Sequence, residues 1–221
     1  LPSAENMQAA AAAMETAAEN EIRRMAAPIR FTARDDAMNA ALAETFADFT
    51  AKNPGVTFEF IASERPLDLM AGEADIALRL AISALEDDLI CRRIGTSNWT
   101  YYASPAYAEV TGMPASMDDL DDHQVILLSH IPTERTQVRF CDTATELIML
   151  VRSGQGVAPV PVVQGDADAG LVRCFPPPEG SEMEILLLIS PTAYRRPEVR
   201  RFVSFAAPRF SKFFTSQDSE Y

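Results

Sequence analysis

The chain has 221 residues, 48% of them hydrophobic and 23% charged. This is the balance of a globular protein with length for one large domain or two small ones. Nineteen Lys and Arg stand against 32 Asp and Glu, a net charge of −13, which argues against a nucleic-acid surface on this polypeptide and against docking on an acidic membrane. Cys91, Cys141 and Cys174 are scattered and odd in number, so they read as buried, reduced thiols of a cytosolic protein. No apolar run approaches the roughly 18 residues of a membrane helix, and no basic-then-apolar leader is visible. The chain begins at Leu1 and reads as a piece of a longer protein.

Residues 3–26 are alanine-rich and free of Gly and Pro, which predicts a helix capped by Ser3. Met7, Ala11, Met14, Ala18, Ile22 and Met25 make a narrow apolar stripe with coiled-coil spacing. After Pro28 the pattern alternates over 29–33 as a strand. A helix follows, capped by Asp35 or Asp36, with Met38, Ala41, Leu42, Thr45, Phe46 and Phe49 on one face. Asn53-Pro54-Gly55 stops it. A strand over 56–61, a short helix over 66–72 and a strand over 74–80 complete a strand–helix alternation that implies a parallel sheet. Strands over 89–94 and 98–103 flank a turn at 95–97.

Short helices are expected from Pro105 to Val110 and from Met117 to Leu120, then a strand over 123–128. Thr145-Glu-Leu-Ile-Met-Leu-Val-Arg-Ser-Gly-Gln-Gly-Val-Ala-Pro-Val-Pro161 reads as a helix, a glycine turn and a proline-stopped strand, with Asp142 and Thr143 as candidate N-caps. A short strand at 171–175, a strongly apolar central strand at 183–189 and a final helix from Pro197 follow. That helix puts Val199, Phe202, Val203, Ala206 and Phe210 on one face; the polar tail from Thr215 is expected to fray.

Candidate chemistry is sparse. Of two histidines, His123 is expected at the surface and His130 beyond a strand end, where open α/β sheets present ligand groups. Ser129, His130 and Asp142 suggest a catalytic set only by residue type, because no G-x-S-x-G elbow accompanies them. Gly154-Gln-Gly156 fails as a dinucleotide fingerprint: it follows a helix and has Pro159 where the third glycine belongs. No metal-ligand spacing and no cofactor motif are present.

Several segments resemble, in order, those of the effector-binding domain of LysR-type transcriptional regulators. Ser153-Gly-Gln-Gly-Val-Ala-Pro-Val-Pro161 resembles the family's a-G-l-G-i-a-l-l-P segment. Ala71-Gly-Glu-Ala-Asp-Ile-Ala-Leu-Arg79 resembles its G-x-l-D-l-a-i strand, and Tyr102-Ala-Ser-Pro-Ala-Tyr107 its hinge. Pro191 to Phe205 resembles the terminal P-x-v-r-x-F-i-x-f helix, and Leu1-Pro-Ser-Ala-Glu5 the segment after the DNA-binding head.

The resemblance implies an α/β, two-subdomain, periplasmic-binding-protein-like (type 2) fold with central mixed sheets, preceded by an N-terminal linker helix. Residues 1–27 would be that linker and dimerisation helix. Residues 28–103 with 183–214 would be subdomain I, 104–182 subdomain II, and 215–221 a tail. A small-molecule effector would sit in the cleft of a cytoplasmic homodimer or tetramer. DNA would be reached only through a winged helix-turn-helix absent here; no cofactor, metal or membrane partner is implied.

By position, the ligand-facing residues would be Arg34, Asp35, Asp36 and Ala37 in the first turn, Ser104 at the hinge, Ser129 and His130 at a strand end, and Asp142 and Thr143 at a helix start. Two departures from the family pattern matter. Asp35 and Asp36 would repel a carboxylate placed beside them, unless Arg34 offsets them or the ligand is neutral or cationic; equally, they simply cap the helix. Only 13 residues, 129–141, separate strand from helix, which implies a more open cleft, a missing strand or a vestigial pocket. The rival readings are a stand-alone solute-binding protein of transport and an enzyme on the same two-lobed fold.

Overall fold

A computed structural model describes residues 27–37, 40–80 and 88–218. The predicted helix over 3–26 lies outside the described residues. Strand β1 (Ile29–Ala33) sends Ile29, Phe31 and Ala33 into one core face. Helix α1 (Ala40–Lys52) covers that face with Leu42, Phe46 and Phe49. The Asn53 amide caps its end by donating to the Phe49 carbonyl at 2.9 Å. Strands β2 (Phe58–Ala62) and β3 (Ile76–Leu80) lie parallel to β1 on either side, as the strand–helix alternation predicts. Residues 66–68 are irregular and 69–72 form a turn, in place of the expected helix.

Strand β4 (Ile90–Ser97) runs through the expected turn at 95–97, because a bulge that leaves Ile94 unpaired lets pairing continue past Gly95. Strand β10 (Met183–Ile189) sits between β3 and β4, antiparallel to both, so the sheet order is β2-β1-β3-β10-β4. Its position explains the almost unbroken apolar run.

Short helix α5 (Pro191–Tyr194) leads into α6 (Pro197–Asp218). The α6 face Val199, Phe202, Val203, Ala206 and Phe210 is fully buried on the same core. Phe202 stacks on Phe46 at 5.0 Å between centroids, and Phe31 meets Phe46 edge-on at 5.0 Å. Such ring pairs add to the area they bury. The α6 backbone continues to Asp218, beyond the point where fraying was expected.

The chain enters its second sheet at Asn98. Strand β5 (Trp99–Ala103) was expected to belong with the first subdomain. It pairs instead with β8 (Ala158–Pro161) and β9 (Val172–Arg173). Helix α2 (Pro105–Thr111) follows, and a single 3-10 turn stands at Asp119–Asp122 in place of the helix expected at 117–120.

Strand β6 (Val125–Leu128) pairs in parallel with β7 (Val138–Cys141). The short 129–141 segment therefore still holds a strand. Its residues Arg139 and Phe140 are exposed, so the edge strand carries no apolar run to announce it.

Helix α3 (Ala144–Arg152) and β8 follow the predicted helix–glycine–strand pattern. A Cβ on Gly156 would lie 2.3 Å from the Gln124 carbonyl oxygen, which is why the turn excludes larger residues. Helix α4 (Val162–Ala167) was not foreseen. It packs so closely on β5 that a Cβ on Gly165 would fall 2.3 Å from the Tyr102 ring. The Tyr102 hydroxyl donates to Asp166 Oδ1 at 2.7 Å, and Asp166 also pairs with Arg173.

Candidate functional site

Two adjoining cavities lie where the sheets meet. The larger, about 430 Å³, opens at the C-terminal ends of β1 and β3 and at the β4–β5 crossover. In open α/β sheets, ligands bind at such strand ends, and the volume is that of a small-molecule pocket. Its walls include Leu80, Trp99, Pro161, Ile185, Phe213 and Phe214. The smaller, about 120 Å³, runs toward the start of α3 between Leu128, Ile131, Leu147 and Ile148. Arg34, Asp36, Leu80, Trp99, Pro161 and Gln164 line both, so they form one continuous cleft.

The first turn falls at this cleft, as position predicted. Arg34, Asp36 and Ala37 line it. Arg34 grips Asp36 with two hydrogen bonds, Nε to Oδ1 at 3.1 Å and Nη2 to Oδ2 at 2.9 Å. It also meets Glu64 Oε2 at 3.5 Å and lies over the Trp99 ring, 5.6 Å from its centroid. The Asp36 carboxylate is thus taken up by Arg34.

Arg79, near the end of β3, stands differently. Its Nη2 donates to the Thr32 hydroxyl at 2.9 Å and its Nη1 to the Leu78 carbonyl at 3.3 Å, both neutral acceptors. Its Nε is buried with no acceptor. Among the described residues, no carboxylate lies within ion-pair distance of it. Burial pulls its pKa down to about 10, against the more distant attraction of Glu64. An incompletely matched, half-buried cation is costly to the apo protein, and this one lines the larger cavity.

At the start of α3 the donors are answered from within. Thr143 is the N-cap, and its Oγ1 accepts from the Glu146 N–H at 3.1 Å. The Thr145 N–H at 3.3 Å and Thr145 Oγ1 at 2.6 Å donate to Asp35 Oδ2 across the cleft. The Ala144 N–H reaches Glu64 Oε1 at 3.4 Å. Asp35 therefore caps the helix of the opposite wall. Burial opposes its charge, yet the hydrogen bonds from Thr145 and Glu64 prevail and hold its carboxyl below the usual range. Burial, then the hydrogen bond with Asp35, pushes Glu64 up to about 7. The two acids therefore hold one proton between them below about pH 7 and lose it above.

Asp35, Thr143 and the remaining predicted residues line neither cavity. Ser104 is buried as the N-cap of α2, its Oγ accepting from the Tyr107 N–H at 3.2 Å. Ser129 Oγ lies 2.7 Å from Asp142 Oδ1 and 2.9 Å from the Cys141 carbonyl, and the Asp142 N–H donates to Glu146. These contacts tie the β6 end to the α3 start. His130 is exposed, and its imidazole is shifted downward by burial and by Arg34. His123, expected at the surface, is buried with its Nδ1 3.0 Å from the Tyr107 hydroxyl. Among the described residues no His, Cys, Asp and Glu side chains gather to hold a metal ion, and no helix is long and apolar enough to cross a membrane.

Sequence reasoning missed Arg79, Glu64, Trp99 and Gln164. Arg79 left a signal, a lone cation inside the apolar strand Ala74-Asp-Ile-Ala-Leu-Arg-Leu80, and Trp99 is the only tryptophan. Gln164 left none, because it reaches the cleft from a helix that the pattern did not specify, and neither did Glu64, which lies behind the lining against Arg34 and the start of α3.

Two mixed α/β lobes with a ligand-sized cleft between them define a two-lobed binding domain of the type 2 periplasmic-binding-like fold. The comparisons place it further: the LysR substrate binding domain model matches residues 23–211, and the chain belongs to that family. It is similar to an uncharacterized HTH-type transcriptional regulator of Haemophilus influenzae, 29% identical over 136 residues, 54% of this chain and 46% of the relative. An HTH-type transcriptional regulator of Xanthomonas campestris pv. campestris is 34% identical over 101 residues, 45% of this chain and 29% of the relative. The chain thus spans less than half the length of these relatives.

Among solved structures, the CrgA regulatory domain, of a LysR-type transcriptional regulator from Neisseria meningitidis, superposes with a TM-score of 0.70 at 19% identity, covering 85% of this chain and 98% of that one. The AmpR effector binding domain from Citrobacter freundii gives 0.67 at 14%, covering 84% and 98%. At such identities these likenesses show the fold.

Proposed function

We propose that this chain is the sensing part of a LysR-type transcriptional regulator. A small effector enters the cleft, and the change in angle between the lobes is passed to a winged helix-turn-helix carried on the same polypeptide. The observation that carries this reading is the apolar, ligand-sized cleft at the β4–β5 crossover, with Arg79 facing it unmatched by any carboxylate within ion-pair range among the described residues. The protein would work in the cytoplasm as a homodimer or tetramer, and DNA would be contacted only by the N-terminal head. The enzyme reading is weaker, because its relatives are regulators and Ser129, His130 and Asp142 lie outside the cleft lining.

Trp99 lines both cavities and is the only tryptophan in the chain, so its fluorescence reports on the cleft alone. A library of organic acids, neutral aromatics and amines should yield at least one compound that saturably changes Trp99 emission and raises the melting temperature. The same compound should alter binding of the full-length regulator to its promoter. Failure of every cleft ligand to change promoter binding contradicts the sensing role.

A further inference from the structure

The two ends of the cleft differ in what they leave unsatisfied, and that difference selects a ligand. We propose that the cleft takes a ligand with a single carboxylate on an apolar body, its head at Arg79, and that Asp35 and Glu64 turn away a second carboxylate at the α3 end. The inference deepens the sensing role proposed above and rests on it.

The head position follows from the cations. Arg34 is already answered by Asp36 and Glu64. Arg79 meets only the Thr32 hydroxyl and the Leu78 carbonyl. A guanidinium has five donors in a planar fork that matches a carboxylate, so an anion at its Nη edge would supply the missing counter-charge. From there the shared walls Leu80, Trp99 and Pro161 lead to Leu147 and Ile148, an apolar track for the body. Gln164, on α4, also lines both cavities.

The far end rejects charge because its donors are occupied. The N–H groups of Ala144, Thr145 and Glu146 already meet Glu64, Asp35 and Thr143. A second carboxylate arriving there would find no unoccupied donor among those three. It would also come close to the acid pair, which stands just behind the lining residues Arg34 and Ala144 and holds one negative charge while sharing its proton and two when that proton is lost.

Calorimetric titration of the 221-residue chain at pH 7.5 tests this with three probes of one length: octanoate, octanamide and the dicarboxylate suberate. Octanoate is expected to bind, with octanamide and suberate each weaker by about tenfold or more, the range of one charge-assisted contact. Arg79→Gln should erase the preference for acid over amide. Asp35→Asn combined with Glu64→Gln should recover suberate binding toward that of octanoate. Ala167→Trp, at an exposed position on the mouth of the larger cavity, should weaken octanoate and octanamide alike without unfolding the chain. An amide that binds as well as the acid overturns the proposal. So does suberate matching octanoate, or no binding of octanoate at millimolar concentration. A neutral or cationic compound that binds the cleft in the wider library, where octanoate does not, defeats this ligand class and leaves the sensing role standing. Octanoate binding that leaves promoter affinity of the full-length regulator unchanged does the reverse.

Discussion

The two ends of the cleft carry opposite accounts of their polar groups. At the start of α3, the N–H groups of residues 144–146 each meet an acceptor supplied by the protein, two of them from the opposite wall. At the end of β3, Arg79 is held by neutral acceptors and an orphaned Nε. A helix N-terminus is a general anion site, and on that ground alone it would be the place for an effector. Here the chain's own Asp35 fills it. What remains unsatisfied, not what is charged, marks where a ligand gains most.

The largest test of this contrast moves the wall between the ends. Gly165→Ala puts a methyl into the Tyr102 ring, which is fully buried and holds α4 through Val162 and Asp166. Denaturant unfolding should show a loss of about 2–3 kcal/mol, the usual cost of overpacking, together with lost cleft binding as Gln164 shifts. A cost under about 0.5 kcal/mol would mean that α4 is free to move and does not shape the cavity.

Asp35→Ala acts at the satisfied end. It removes the acceptor of two donors on α3 and should cost about 1–2 kcal/mol, as loss of a helix cap does. A neutral result would show that the cross-cleft bond is not formed in solution.

A subtler effect comes from Glu64. Its folded pKa is raised from 4.5 to about 7, so the folded chain holds this proton more tightly than the unfolded chain does. The resulting stability is complete below about pH 4.5 and is lost as pH rises through about 7. Asp35, shifted downward from 3.8, contributes the opposite slope, but below that window. Melting temperature should therefore fall between pH 5 and 7.5 in the parent chain relative to Glu64→Gln; parallel curves would contradict the shared proton. The smallest effect belongs to His130→Ala. With its side chain exposed and outside both cavities, it should change stability by less than about 0.5 kcal/mol and leave octanoate affinity as it is.

Regular periodicity carried most of the fold. The α6 stripe from Val199 to Phe210 and the β1, β3 and β10 strands were legible because burial on one or both faces imposes a pattern on the sequence. Strand β7 was not, since an exposed edge strand needs no apolar alternation and Arg139 and Phe140 face solvent. Membership of β5 was misread for another reason. Sheet pairing is a long-range choice, and nothing local in Trp99–Ala103 says whether β10 or β8 is its neighbour.

Of the nine candidate positions, three line the cleft. The resemblance placed Arg34, Asp36 and Ala37 on the cleft. The functions of Asp35 and Glu64 depend on a contact between residues about 80 to 110 positions apart, which neither motif nor spacing encodes. The resemblance also pointed to Ser104, Ser129, Asp142 and Thr143. Their hydroxyls and carboxylates are spent on caps and strand ends, the commonest use of such residues at helix starts.

The most direct measurement follows the indole N–H of Trp99 by ¹⁵N-resolved NMR, where a single tryptophan gives a single cross-peak. Its Nε1 is buried and without a partner, so a ligand beside it shifts the peak. With octanoate the peak should move saturably in the parent chain and need about tenfold more ligand for the same shift in Arg79→Gln. Saturable calorimetric binding with an unmoved Trp99 peak, or an equal shift in Arg79→Gln at the same concentrations, would contradict the assignment of this cleft and of Arg79 as its anchor.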